Sequence, residues 1–124
     1  MRNMGELEAV VMDHLWSIDS SATVREVLEA MDRQPPLAYT TVMTVMDNLH
    51  RKGFLTRSME GRAYRYEPRK PRADYTAEVM NELLTGSGDR SATLLRFVDH
   101  MTARERADLE RALGSRSTRH RGSR

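Results

Sequence analysis

Residues 35–68, PPLAYTTVMTVMDNLHRKGFLTRSMEGRAYRYEP, constrain the fold more than any other stretch of the chain. They open with a helical repeat and pass without a linker into strand character. From Ala38 or Tyr39 onward, Val42, Val45, Met46 and Leu49 fall at i, i+3, i+4 and i+7, one apolar stripe of a helix. Thr40, Thr44 and Arg51, flanked by Thr41, Met43 and Asn48, take the opposite face. Gly53 ends the helix, with Arg51 and Lys52 in the last turn, where cations suit the helix dipole. Residues 54–57 (FLTR) and 63–66 (AYRY) then favour strands, and Glu60-Gly61 supplies the turn between them. A hydroxyl-rich helix face tied to a basic hairpin is what a winged helix-turn-helix presents to double-stranded DNA.

Upstream, residues 5–18 predict a first helix with Leu7, Val10, Val11, Leu15 and Ile18 as its stripe and Trp16 beside it. Asp19-Ser20-Ser21 makes a polar turn. Thr23-Val24-Arg25-Glu26 fits a capping box, a hydroxyl for one orphan amide and a carboxylate for another. It opens a second helix with Val24, Val27, Leu28 and Met31 on one face. Gln34-Pro35-Pro36 must stop that helix, because proline lacks the amide donor and restricts its predecessor. A short turn between helices two and three gives helix-turn-helix order.

Downstream, Pro68 and Pro71 bracket a basic hinge, Arg69-Lys70. A fourth helix runs to about Thr85, with Val79, Met80, Leu83 and Leu84 apolar, and Gly86-Ser87-Gly88 breaks the chain. Residues 91–101 predict a fifth helix exposing Leu94, Leu95, Phe97 and Val98. Thr102-Ala103-Arg104-Glu105 fits another capping box, for a sixth helix carrying Leu109, Ala112 and Leu113 and closed by Gly114. Residues 115–124 hold four arginines and nothing apolar, so they read as a disordered basic tail. Three short helices have too little material for a core and need another surface. The N-terminal domain could supply it, or the same segment of a second chain, which the hinge favours. The expected architecture is mainly α with a small β wing. A winged helix-turn-helix DNA-binding domain occupies residues 1–70, a helical dimerisation domain residues 71–114 and the tail residues 115–124. Val79, Leu83, Leu94, Leu95, Phe97, Val98, Leu109 and Leu113 are the expected homodimer interface.

The net charge is only +2, from 20 Lys and Arg against 18 Asp and Glu, yet the placement is uneven. Arg51, Lys52, Arg57, Arg62, Arg65, Arg69 and Lys70 gather around the hairpin, while the first helix carries Glu6, Glu8 and Asp13. A polyanionic partner and a merely solvated surface both fit that asymmetry. Thr40, Thr41 and Thr44 can donate to, accept from and touch base edges, and Met43 at their margin can add apolar contact. A purely solvated helix face would more often use Glu, Lys or Ala. Arg57, Arg62 and Arg65 suit phosphate contact, or a charged edge that discourages strand pairing. Asp47 stands against simple DNA binding and lies four residues before Arg51, a helical ion-pair spacing.

Other function classes find no residues. His14, His50, His100 and His120 are scattered without metal-ligand spacing, and Gly86-Ser87-Gly88 lacks the Lys-Ser/Thr of a phosphate loop. With no cysteine there is no disulfide, thiolate metal site or cysteine nucleophile. The expectation is no enzyme activity, no metal and no cofactor. No apolar run approaches the roughly 18 residues of a membrane span, and the N-terminus lacks a signal-peptide core, so a cytoplasmic protein without a membrane partner is expected.

GELEAVVMDHLW at the start and AYTTVMTVMDNLHRKGFL in the middle resemble the penicillinase-repressor family, over about residues 5–114. The resemblance implies a winged-helix domain followed by a helical dimerisation domain, repressing transcription at palindromic operators, with β-lactamase or cell-wall-stress genes as targets. By position it places Thr40, Thr41, Met43 and Thr44 at the bases, and Arg51, Lys52, Arg62 and Arg65 near the DNA backbone. It also implies relief of repression by an inducing protease that cuts in the dimerisation domain, typically at an Asn-Phe bond. The matching segment is residues 93–99, TLLRFVD, where Phe97 is kept and Arg96 stands in place of the asparagine. The copper-responsive relatives carry C-terminal cysteine pairs, which this chain lacks. Two rival readings stay open: a winged-helix module whose basic wing meets an acidic protein, and a repressor that answers to a small molecule at its dimer interface.

Overall fold

The computed structural model describes the backbone of residues 4–123 and the side chains of residues 4–116. The elements run α1 (Glu6–Ile18), β1 (Ala22–Thr23), α2 (Val24–Ala30), α3 (Tyr39–Arg51), β2 (Leu55–Glu60), β3 (Ala63–Pro68), α4 (Arg72–Thr85), α5 (Arg90–Asp99) and α6 (Ala103–Ser123). The helices dominate and the sheet is small, a winged helix followed by a helical segment. Two compact units divide the chain, Met1–Val79 and Met80–Arg124, and the division falls within α4.

In the first unit, α1, α2 and α3 close around Val11, Met12, Leu15, Val27, Val42, Met46, Leu49 and Leu55, all essentially without exposure. Burying side chains of this size is worth about 1.5–3 kcal/mol each, so these positions fix how the three helices meet. The stripe expected on α3 is the buried one, with Val45 half-buried beside Val42, Met46 and Leu49. On α1 the buried face is rotated from the expected one: Met12 and Glu8 lie inside, whereas Val10 and Ile18 are exposed. A polar Glu8 could not be recognised as core because its partner, Lys52, lies 44 residues away.

The caps explain where elements begin and end. The Thr23 hydroxyl accepts from the Glu26 amide at 3.2 Å, and the Glu26 carboxylate accepts from the Thr23 amide at 2.8 Å. Gly53 takes φ 87°, the left-handed conformation that glycine adopts without a Cβ penalty. The Phe54 amide then reaches Leu49 O at 2.9 Å and the Gly53 amide reaches His50 O at 3.1 Å. This paired closure satisfies two orphan carbonyls and directs the chain from α3 straight into β2.

The sheet has three strands in the order β1-β3-β2, all antiparallel, where the sequence pattern suggested only a hairpin. Ala22 and Thr23 pair with Tyr66 and Arg65, and Leu55 through Glu60 pair with Pro68 through Ala63. Two residues of β1 are too few to show alternation, which is why the third strand escaped detection. The hairpin turn is Gly61-Arg62, one residue beyond the expected Glu60-Gly61, with Gly61 at φ 64°.

The start of α4 belongs to the first unit. Tyr75 is buried against Trp16 and Phe54, with ring centroids 5.7 and 5.2 Å away. Trp16 donates its indole N–H to Lys70 O at 3.1 Å, and Arg72 pairs with Asp13 at 3.0 Å.

In the second unit, Asp89 caps α5 by accepting from the Ala92 amide at 3.0 Å. Thr102 and Glu105 form the expected box at the head of α6, at 3.1 and 2.9 Å. The helix expected to stop at Gly114 continues in the backbone to Ser123; Arg124 lies outside the described residues. One glycine costs a helix only about 1 kcal/mol, and no proline follows to end it. No helix among the described residues is long and apolar enough to cross a membrane.

Candidate nucleic-acid interface

Because Val42, Met46 and Leu49 anchor α3 in the core, the helix turns its other side outward. Thr40, Thr41, Met43 and Thr44 are all exposed there, as the sequence pattern anticipated, and Tyr39 at the first turn is exposed with them. Arg25 on α2 lies over the Tyr39 ring, 5.3 Å from its centroid. Thr40, Thr44, Asp47 and Arg51, spaced by four, three and four residues, share one stripe of this helix. The stripe begins with neutral hydroxyls and ends in charge.

That charge is organised. The Asp47 carboxylate meets Arg51 Nε at 3.2 Å, the spacing expected within the helix, and also meets Arg57 of β2 at 3.1 Å. Arg51 donates to Asn48 as well. Arg57 lies over the Tyr64 ring at 4.1 Å and donates to the Tyr66 hydroxyl at 3.5 Å. The hydrogen bond to Tyr66 raises its pKa, against the effect of burial, and Asp47 adds to the rise. Helix α3 and strand β2 are thus tied by one carboxylate and one arginine.

The remaining cations divide into two kinds. Arg62 sits at the exposed tip of the hairpin with no ion-pair partner among the described residues. Arg65, expected beside it at the phosphates, is engaged within the protein. Its guanidinium donates to the Ser21 hydroxyl and carbonyl, both at 3.0 Å, and pairs with Glu26 at 3.0 Å and Glu60 at 3.6 Å. It joins β3 to the turn before β1 and to the head of α2. The Thr23 amide is the main reason the Glu26 carboxyl titrates below its ordinary range, and Arg65 lowers it further.

Lys52 likewise has an internal partner, donating to Glu8 at 2.8 Å while keeping about half its side chain exposed. Burial pushes the Glu8 carboxyl up, but the Lys52 ammonium and the Gly5 amide, 2.7 Å away, outweigh it and hold the pKa below the ordinary value. Arg69 donates to Gly53 O at 3.0 Å, bracing the end of α3. The bridging by Arg57 and Arg65 was not legible in the sequence, since their carboxylate partners lie on other elements. The one available signal was the four-residue spacing of Asp47 and Arg51.

The expected interface residues of the second unit are also on the surface. Leu83, Leu94, Leu95, Phe97, Leu109 and Leu113 are exposed, Val98 is half-buried, and Arg96 is exposed beside Phe97. Val79, half-buried, ends the first unit. A cavity of about 270 Å³ is lined by Met80, Leu83, Leu84, Thr93, Leu94 and Phe97. Among the described residues no group of three or more His, Asp or Glu is placed to hold a metal ion.

The penicillinase repressor family profile matches residues 4–115. The transcriptional regulator BlaI of two Mycobacterium tuberculosis strains, CDC 1551 and H37Rv, is 41% identical over 123 residues, spanning 97% of this chain and 89% of the relative. The solution structure of the DNA-binding domain of the repressor BlaI superposes with a TM-score of 0.51 at 29% identity, covering 59% of this chain and 88% of that one. A profile match across nearly the whole chain, joined to a three-helix, three-stranded winged fold, places this chain in the penicillinase repressor family.

Proposed function

We propose that this chain is a DNA-binding transcriptional repressor that acts as a homodimer at palindromic operators. The observation that carries the reading is the exposed Thr40, Thr41, Met43 and Thr44 face of α3, held rigid by a fully buried opposite face. Hydroxyls on a fixed helix can meet base edges in the major groove, and threonine methyls can meet thymine methyls. Arg51 and Arg62 stand where the phosphates of a docked duplex would run, and Lys52 keeps enough exposure to join them. The exposed apolar side chains of α4, α5 and α6 supply the pairing surface, so that two half-sites are held at once. A cytoplasmic protein follows from that role, with DNA, a second copy of the chain and an inducing protease as its partners.

The regulated genes in this reading are those for β-lactamase or cell-wall stress, and the signal acts through cleavage between Arg96 and Phe97. The α5 helix has no buried residue. It can therefore open locally at little cost and enter a protease site. A cut there separates Leu94 and Leu95 from Phe97 and Val98 and dismantles one apolar face.

The deciding experiment for DNA reading is Thr44→Ala against a duplex selected for the wild-type chain and a scrambled duplex of equal length. A loss of roughly 1–3 kcal/mol on the selected duplex, and little on the scrambled one, is expected. Equal losses on both remove Thr44 from the reading face. For induction, cells exposed to a β-lactam are followed by mass spectrometry of the chain alongside target transcription. Derepression with an intact chain would rule the cleavage out.

A further inference from the structure

The carboxylate of Asp47 is out of place on a surface that meets DNA, and its geometry gives it a role. We propose that Asp47 is a specificity-determining residue that restrains Arg51 and Arg57, weakening binding to non-cognate DNA more than binding to the operator. The inference rests on the DNA-binding reading above and goes beyond it.

Asp47 lies one turn past Thr44 on the same stripe of α3, and 43% of its side chain is exposed. Its two oxygens are divided between two arginines of different elements. Oδ2 meets Arg51 Nε at 3.2 Å and Oδ1 meets Arg57 at 3.1 Å. Arg57 is further held by Tyr64 beneath it and the Tyr66 hydroxyl beside it, with only 24% of its side chain exposed. Arg51, 68% exposed, keeps Asn48 as a second acceptor. Local charge is therefore +1, where the two arginines alone would give +2, and neither guanidinium faces solvent unencumbered.

Binding to arbitrary DNA depends almost entirely on phosphate neutralisation. To contribute there, Arg51 or Arg57 must exchange Asp47 for a phosphate and leave the carboxylate facing a polyanion. On the operator the threonines already hold α3 in the groove. The same carboxylate then fixes both guanidiniums in register with a docked backbone, and that positioning offsets part of the repulsion. A carboxylate so placed subtracts from all DNA binding and subtracts least where base contacts are correct, which is how repulsion creates discrimination.

The test uses the full-length chain, a duplex selected in vitro for the wild type, and a scrambled duplex of the same composition, titrated across a salt series. Asp47→Asn is nearly isosteric and keeps a polar acceptor for Arg51. It is expected to tighten scrambled-DNA binding about three- to tenfold and to steepen its salt slope by about one unit, as one more phosphate is neutralised. Affinity for the selected duplex should stay within about twofold, so the preference for it shrinks. Asp47→Glu, which keeps the charge, should restore most of the preference. Equal tightening on both duplexes would overturn the proposal and leave Asp47 a plain repulsive charge. Weakening on both would also overturn it, making Asp47 only a support for the arginines. If the wild type showed neither DNA binding nor salt dependence, the DNA-binding reading itself would fall, and this inference with it.

Discussion

The two units of this chain use apolar residues in opposite ways. In the first, Val11, Met12, Leu15, Val27, Val42, Met46, Leu49 and Leu55 are sealed from solvent, and charged side chains such as Arg65 and Lys52 are pinned by partners on other elements. In the second, Leu83, Leu95, Phe97 and Leu113 are each half or more exposed, and α5 buries nothing. Both units have well-capped helices, so local propensity does not separate them. What separates them is whether the apolar faces find one another within a single chain. The first unit carries the features of a self-sufficient domain. The second has helices with no fully buried side chain from residue 80 onward among the described residues, which is why we propose that another molecule completes its core.

The sharpest way to break this contrast is Leu95→Asp. Sedimentation should show a monomer, and affinity for a palindromic site should fall by about 10²–10⁴-fold, because two half-site contacts are no longer linked. A dimer that persists would move the interface into the first unit. Next in size is a pair of truncations read by denaturant unfolding. Leu49→Ala should cost about 2–5 kcal/mol through lost burial and a residual cavity. Leu95→Ala, measured at dilutions where the chain is monomeric, should cost under about 0.5 kcal/mol, as surface changes do. Comparable losses would mean that the second unit has a core of its own.

Smaller effects sharpen the account of the first unit. Lys52→Met should cost about 1–3 kcal/mol by leaving the Glu8 carboxylate buried without its cation. The sign of the pH dependence follows from the lowered Glu8 pKa. Its stabilising contribution is complete above the ordinary carboxylate range and is lost as pH falls through the depressed folded-state value. Unfolding profiles of Glu8→Gln should accordingly lack part of the acid-side decline, and an unaltered profile would show that Glu8 is not responsible for it. The smallest change is in salt dependence. Arg62→Ala should lower the slope by about one unit on any duplex. Arg65→Ala should leave the slope nearly unchanged and lower the melting temperature instead, since its partners are Ser21, Glu26 and Glu60.

The sequence by itself determined whatever is settled within a few residues. The Val42, Met46 and Leu49 stripe decided which side of α3 is buried and so which threonines are exposed. The two capping boxes and Gly53 decided three helix ends, because cap donors and acceptors lie within three to five residues of one another. Tertiary structure alone decided the rest. It recruited Ala22 and Thr23 as a third strand against β3, buried Glu8 against Lys52, and drew Arg65 from the surface to Ser21 across 44 residues. It also set Arg57 between Asp47 and two tyrosines. The formal charge of an arginine is written in the sequence, but whether a neighbouring carboxylate occupies it depends on which elements the core brings together. The same reason governs Gly114, whose weak local preference against helix is too small to end α6 where nothing else requires it to stop.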